Sequence, residues 1–117
     1  MEHLKVIDFS RNKITEINAD LTKLTHLATL NLSENQITTF QLKSSSVHTL
    51  NLSMNKLQVI SEIPSSVTEL NLSKNEIEVI PMQLNLPNIK ILDLSENKIV
   101  AVPKSLAANK FKSKYYV

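Results

Sequence analysis

The feature that most constrains this chain is an eleven-residue pattern written five times without a gap. The segments LKVIDFSRNKI (4–14), LATLNLSENQI (27–37), VHTLNLSMNKL (47–57), VTELNLSKNEI (67–77) and IKILDLSENKI (89–99) share the form L-x-x-L-x-L-x-x-N-x-L. Ile, Val or Phe stands for Leu in places. Self-similarity at a fixed period implies one structural unit per copy, stacked on its neighbours, because a single copy cannot bury its apolar face alone. Positions are numbered one to eleven within each copy.

In the first eight positions the apolar residues alternate, as in Leu30 and Leu32, which gives a short strand with one buried face. Stacked copies place these strands side by side as a parallel sheet, with strands expected near residues 6–8, 29–31, 49–51, 69–71 and 91–93. Position nine is always Asn: Asn12, Asn35, Asn55, Asn75 and Asn97. There the chain turns inward after the strand, and a buried amide can pair backbone groups of its own coil and the next one. Leaving such groups unpaired costs ~1–3 kcal/mol each. Asn also tolerates left-handed backbone better than most residues, which makes it the candidate for turning a chain that contains no Gly.

This pattern resembles the leucine-rich-repeat superfamily over nearly the whole chain. The resemblance implies an α/β fold: a right-handed solenoid with a parallel sheet on its concave face and helices, turns or extended segments on its convex face. It also implies that the five Asn residues form a structural asparagine ladder. The chain then reads as a single domain, 1–117, with repeats starting near 4, 27, 47, 67 and 89.

The spacings between ladder residues are 23, 20, 20 and 22. Residues 18–26, NADLTKLTH, offer a capping Asn or Asp with Leu21 and Leu24 behind it, which predicts a short helix. QVISEIPSSV contains Pro64 and is too short for one, so extended backbone is expected there. Pro81 and Pro87 bracket at most a single helical turn, and Pro103 opens a stretch long enough for two or three turns.

Solenoid ends expose apolar interiors unless something covers them. Leu4 stands three residues from the start, with no cap before it. At the other end, the period carried on from Ile89 puts Lys112, Tyr115 and Val117 on framework positions, so a partial sixth strand is expected near 112–117. The alternatives are a fragment of a longer array, a chain closed by its own last strand, or an end-to-end homodimer through the open ends.

Composition removes several classes of function. Without Cys there is no disulfide framework and no thiolate chemistry. No apolar run approaches the roughly 18 residues of a membrane span, and no secretory leader is legible. Net charge is +2, but Lys104, Lys110, Lys112 and Lys114 sit in the last fourteen residues without an acid. The body is therefore not basic, which argues against nucleic acid. Phosphate-cradling Gly loops are impossible without Gly. His3, His26 and His48 have no metal-type spacing, so neither metal nor cofactor is expected. The Ser column at position seven lacks a base, since His48 stands five residues from Ser53, about 16 Å along an extended strand. The expectation is that the chain is not an enzyme.

What remains is the sheet face away from the core, at positions two, three, five, seven and eight. Mixed charge around a few apolar groups suits a protein partner. The candidate partner-binding residues are Arg11, Glu34, His48, Met54, Glu69, Lys74 and Glu96, with Met54 as the apolar contact between Glu34 and Lys74. The leading expectation is an intracellular, cytoplasmic scaffold that binds a protein partner. Segments such as Asn12–Ile17 and Asn75–Ile80 resemble cytosolic and bacterial effector repeats. The LNLS cores also resemble Toll-like receptors, so a receptor or adhesion ectodomain fragment is an alternative. A third is the recognition arm of a larger enzyme such as a pathogen ubiquitin ligase. Three sequons at Asn31, Asn51 and Asn71 fall on consecutive strands, where glycans would crowd, which argues against a eukaryotic secretory setting.

Overall fold

The computed structural model describes residues 3–81, 84–100 and 114–116. The five repeated segments form strands β1 (Val6–Asp8), β3 (Thr29–Asn31), β5 (Thr49–Asn51), β6 (Glu69–Asn71) and β7 (Ile91–Asp93). With β8 (Lys114–Tyr116) they make one six-stranded sheet in the order β1-β3-β5-β6-β7-β8. Every pairing is parallel and sets equivalent positions opposite each other: Ile7 with Leu30, Leu30 with Leu50, Leu50 with Leu70, Leu70 with Leu92. Leu92 pairs in turn with Tyr115, which is the register the repeat period predicts for a sixth strand. The chain is a parallel-strand solenoid.

Its core is the set of framework positions. Leu27, Val47 and Val67 at position one, Leu50, Leu70 and Leu92 at position four, and Leu52, Leu72 and Leu94 at position six are almost fully removed from water. Phe40, Ile60, Ile63 and Ile80 close the core from the far side. Among the described residues the first coil packs against one neighbour, and its position-six residue Phe9 is 51% exposed where the equivalent leucines are at most 2% exposed.

Three expectations need correction. The segment 18–26 is not a helix: β2 spans Glu16–Asp20 and pairs in parallel with β4, Thr39–Lys43, in a second, two-stranded sheet. The physical reason lies in the neighbouring coil. EINAD and TFQLK both alternate, with Ile17, Ala19, Phe40 and Leu42 turned inward, and five consecutive residues stand in register. Backbone bonds across that pair outweigh a local helical turn. Asp20, a candidate helix cap, instead accepts the N–H and O–H of Thr22 at 3.0 and 2.6 Å and so ends the strand. No helix occurs among the described residues. After Pro81 there is one turn bond, from the N–H of Leu84 to the Pro81 carbonyl at 3.2 Å. The helix expected after Pro103 lies outside the described residues.

The second correction concerns the turns. Left-handed backbone is found not at the ladder asparagines but one residue earlier, at Arg11, Glu34, Met54, Lys74 and Glu96, with φ between 55° and 59°. The third concerns the ladder's direction. Asn35, Asn55, Asn75 and Asn97 bind their own coil and the preceding one, not the next. Among the described residues no coil precedes that of Asn12. This Asn is exposed and donates only to Phe9 and Ser10 of its own turn.

Candidate functional site

The outward face of the main sheet is built from columns of equivalent residues. At position five, the Oδ1 atoms of Asn31, Asn51, Asn71 and Asp93 each accept the N–H and the O–H of the serine two residues on, at 3.0 and 2.6–2.7 Å. Ser33, Ser53 and Ser73 are therefore buried and bonded, and at the three middle coils position seven adds nothing to the exposed face that the sequence assigned to it. At the sheet's edge, Ser10 acts on Asp8 through its hydroxyl and its backbone N–H, and holds that carboxyl below its ordinary range.

Position eight forms the rim of this face. Its residues are set on left-handed backbone, and the N–H groups of Arg11, Glu34, Met54 and Lys74 donate to the position-seven carbonyls of the following coil at 2.9–3.1 Å. These bonds fix the order Arg11, Glu34, Met54, Lys74, Glu96 across five adjacent coils. Arg11 Nε donates to Glu34 Oε2 at 2.6 Å, and the hydrogen bond and charge of Glu34 raise the guanidinium pKa still further. Lys74 Nζ lies 3.9 Å from Glu96 Oε2. The charges on either side of Met54 are thus paired away from it, and Met54 is left 39% exposed. Exposed pairs of this kind, screened by water, contribute little to stability.

The other candidates sit elsewhere on the face. Glu69, at position three, is exposed and lines a shallow cleft of about 270 Å³ with Thr49, Asn51, Asn71, Ile91 and Asp93. His48, at position two, is exposed, and its Nδ1 donates to the Ser66 carbonyl at 3.1 Å. The fold therefore assembles five of the seven candidates into one rim and leaves Glu69 and His48 in separate columns.

A larger cleft, about 550 Å³, opens on the far side of the solenoid. It exists because the third coil does not extend the β2–β4 sheet. Phe40 and Leu42 turn inward two residues apart, but Ile60 and Ile63 do so three apart, which breaks the register. Leu42, Lys43, Ile60, Glu62, Pro64 and Pro81 border this cleft, which sequence reasoning did not single out.

Sequence reasoning also found no metal-type spacing among the histidines. His3 and His26 in fact stand in equivalent places on adjacent coils, with ring centres 5.5 Å apart. Their separation of 23 residues equals the offset between β1 and β3, and that was the available signal. No group of three or more His, Cys, Asp or Glu residues able to hold a metal occurs among the described residues.

The geometry is matched by family comparison. A model described as Leucine Rich repeats (2 copies) matches residues 2–44 and 65–107. The chain belongs to the leucine-rich-repeat family. Repeats of this family generally mediate protein–protein interaction and are typically non-enzymatic modules. A search of curated proteins finds no match. Among the described residues, no helix is long and apolar enough to cross a membrane.

Proposed function

We propose that this chain is a protein-binding scaffold, without catalysis of its own, that holds a partner against the outward face of its six-stranded sheet. In this reading the sheet lines the concave side of a right-handed arc, and the chain works in the cytoplasm. The observation that carries it is Met54. It is a flexible, polarisable side chain exposed at the middle coil, with Arg11–Glu34 on one side and Lys74–Glu96 on the other. An apolar contact surrounded by charges that are already paired loses little by desolvation when a partner covers it. The cleft beside Glu69 adds a recess in which a partner side chain can seat. Charged rim residues then govern rate and specificity more than affinity.

The test is to place a photo-crosslinking residue at Met54 and, separately, at Lys43 beside the far-side cleft. Binding of the protein recovered is then measured for Met54→Ala, Glu69→Lys and Glu62→Lys. Met54→Ala should weaken binding by ~1–2 kcal/mol, with Glu62→Lys near wild type. Binding that depends on Glu62 and not on Met54 or Glu69 would move the interface to the other side of the solenoid.

A further inference from the structure

At the later coil junctions, the residue just before position one makes a polar link to a neighbouring coil. Ser46 Oγ–H donates to the carbonyls of Leu24 and Leu27 at 3.0 and 2.7 Å, and Ser66 Oγ–H to that of Val47 at 2.8 Å. Asn88 continues the column with a bond to the Ser65 carbonyl at 2.7 Å. At the first junction these places are held by His3 and His26. Their rings form a tilted pair, centres 5.5 Å apart and planes inclined by 31°. Both side chains are exposed, and His48 is the imidazole that a backbone carbonyl holds.

We propose that His3 and His26 form a two-histidine site for a divalent zinc ion, which ties the first coil to the second. Zinc sits ~2.0–2.1 Å from an imidazole nitrogen, hence about 3.2 Å from the ring centre. With one nitrogen of each exposed ring turned to a shared ion, ring centres 5.5 Å apart subtend about 120° there, near the tetrahedral angle that zinc takes. An octahedral ion with a right angle between its ligands would need centres about 4.5 Å apart, so the spacing favours zinc over magnesium or calcium, which also prefer oxygen. Water completes the coordination, because both rings face solvent. Among the described residues the first coil is also loosely held: Phe9 is half-exposed and Asn12 bonds only within its own turn. A ligand that binds the folded pair and not the unfolded chain raises stability by an amount that grows with the logarithm of its free concentration relative to Kd.

The full chain is titrated with zinc sulfate by calorimetry, and its thermal unfolding is followed with zinc and with zinc plus EDTA. Zinc should raise the unfolding midpoint of the wild type, and EDTA should reverse the rise. His3→Ala and His26→Ala should each bind zinc about tenfold more weakly or worse, because loss of a direct ligand costs at least as much as loss of an outer-shell partner. The midpoint rise should disappear in both. His26→Gln retains polar bulk at the junction and should behave as His26→Ala does, which separates lost coordination from lost folding. Undiminished zinc affinity in either His26 variant, or no zinc binding by the wild type, overturns the site.

Discussion

The side-chain oxygen of Asn55 accepts the backbone N–H of Ile37, eighteen residues earlier, at 2.9 Å. The amide nitrogen of the same side chain donates to Leu32 of that earlier coil and to Leu52 and Ser53 of its own, at 3.0–3.1 Å. One buried amide thus bonds four backbone groups: the Ile37 N–H finds its acceptor here, while the Leu32, Leu52 and Ser53 carbonyls are shared with Asn35, Asn75 and the Glu34 N–H. The same set recurs at Asn75, and Asn12 carries only its own-coil half.

Asn55→Ala should therefore lower stability by ~1–3 kcal/mol, and Asn12→Ala by clearly less, since its exposed partners can turn to water. Urea midpoints for the two variants measure this. Equal losses at both positions would mean that the coil-to-coil bonds contribute nothing beyond the local turn.

Position eight offers a second test. Met54 has φ 56°, a region in which a side chain of any size beyond hydrogen crowds the backbone. Alanine relieves none of that strain, and glycine relieves it at the cost of greater freedom in the unfolded chain. Met54→Gly should come out more stable than Met54→Ala by about 1 kcal/mol or somewhat less. The reverse order in thermal midpoints would show that the left-handed turn is not strained.

These two positions also show what sequence could and could not reveal. The ladder and the main sheet were legible because every copy repeats the same residue types with the same alternation, so even the partner of Tyr115 followed from the period. Position eight carries Arg, Glu, Met, Lys and Glu, and nothing in those side chains announces a left-handed backbone. The β2–β4 pair was missed for a different reason. Asn18 and Asp20 with Leu21 and Leu24 look like a helix start, and only the alternation of TFQLK in the next coil decides against it. The rim order was readable from the repeat. The pairing of Arg11 with Glu34 and Lys74 with Glu96, which isolates Met54, needed coordinates.

Acid should reveal the strand-ending carboxylates. The Thr22 side chain, then its backbone N–H, holds the Asp20 carboxyl below its ordinary value of 3.8, as Ser10 does for Asp8. A group whose pKa is depressed on folding adds stability that is present above its unfolded pKa and is lost as pH falls through the folded one. The stability gap between wild type and Asp20→Asn should therefore shrink as pH drops below about 4. Urea midpoints across that range measure it, and a gap constant with pH would show that the Thr22 bonds do not discriminate between the charged and neutral acid.

The last prediction concerns the sequons at Asn31, Asn51 and Asn71. These residues are direct register partners on β3, β5 and β6, so neighbouring side chains are spaced by a single strand separation, ~4.8 Å. Each is half-buried, with its Oδ1 held by the amide and hydroxyl of the serine that completes its own sequon. A glycan on each would have to leave three adjacent strands through one column, far closer together than branched sugars pack. It would also cover the face proposed to bind a partner. Passed through the secretory route of a eukaryotic cell, the chain should emerge with fewer than three sites occupied, or with occupied sites and a lost fold. Intact mass and circular dichroism on the same preparation read both. Three glycans on a chain with an unchanged spectrum and unfolding midpoint would mean that this face has far more room than its register implies.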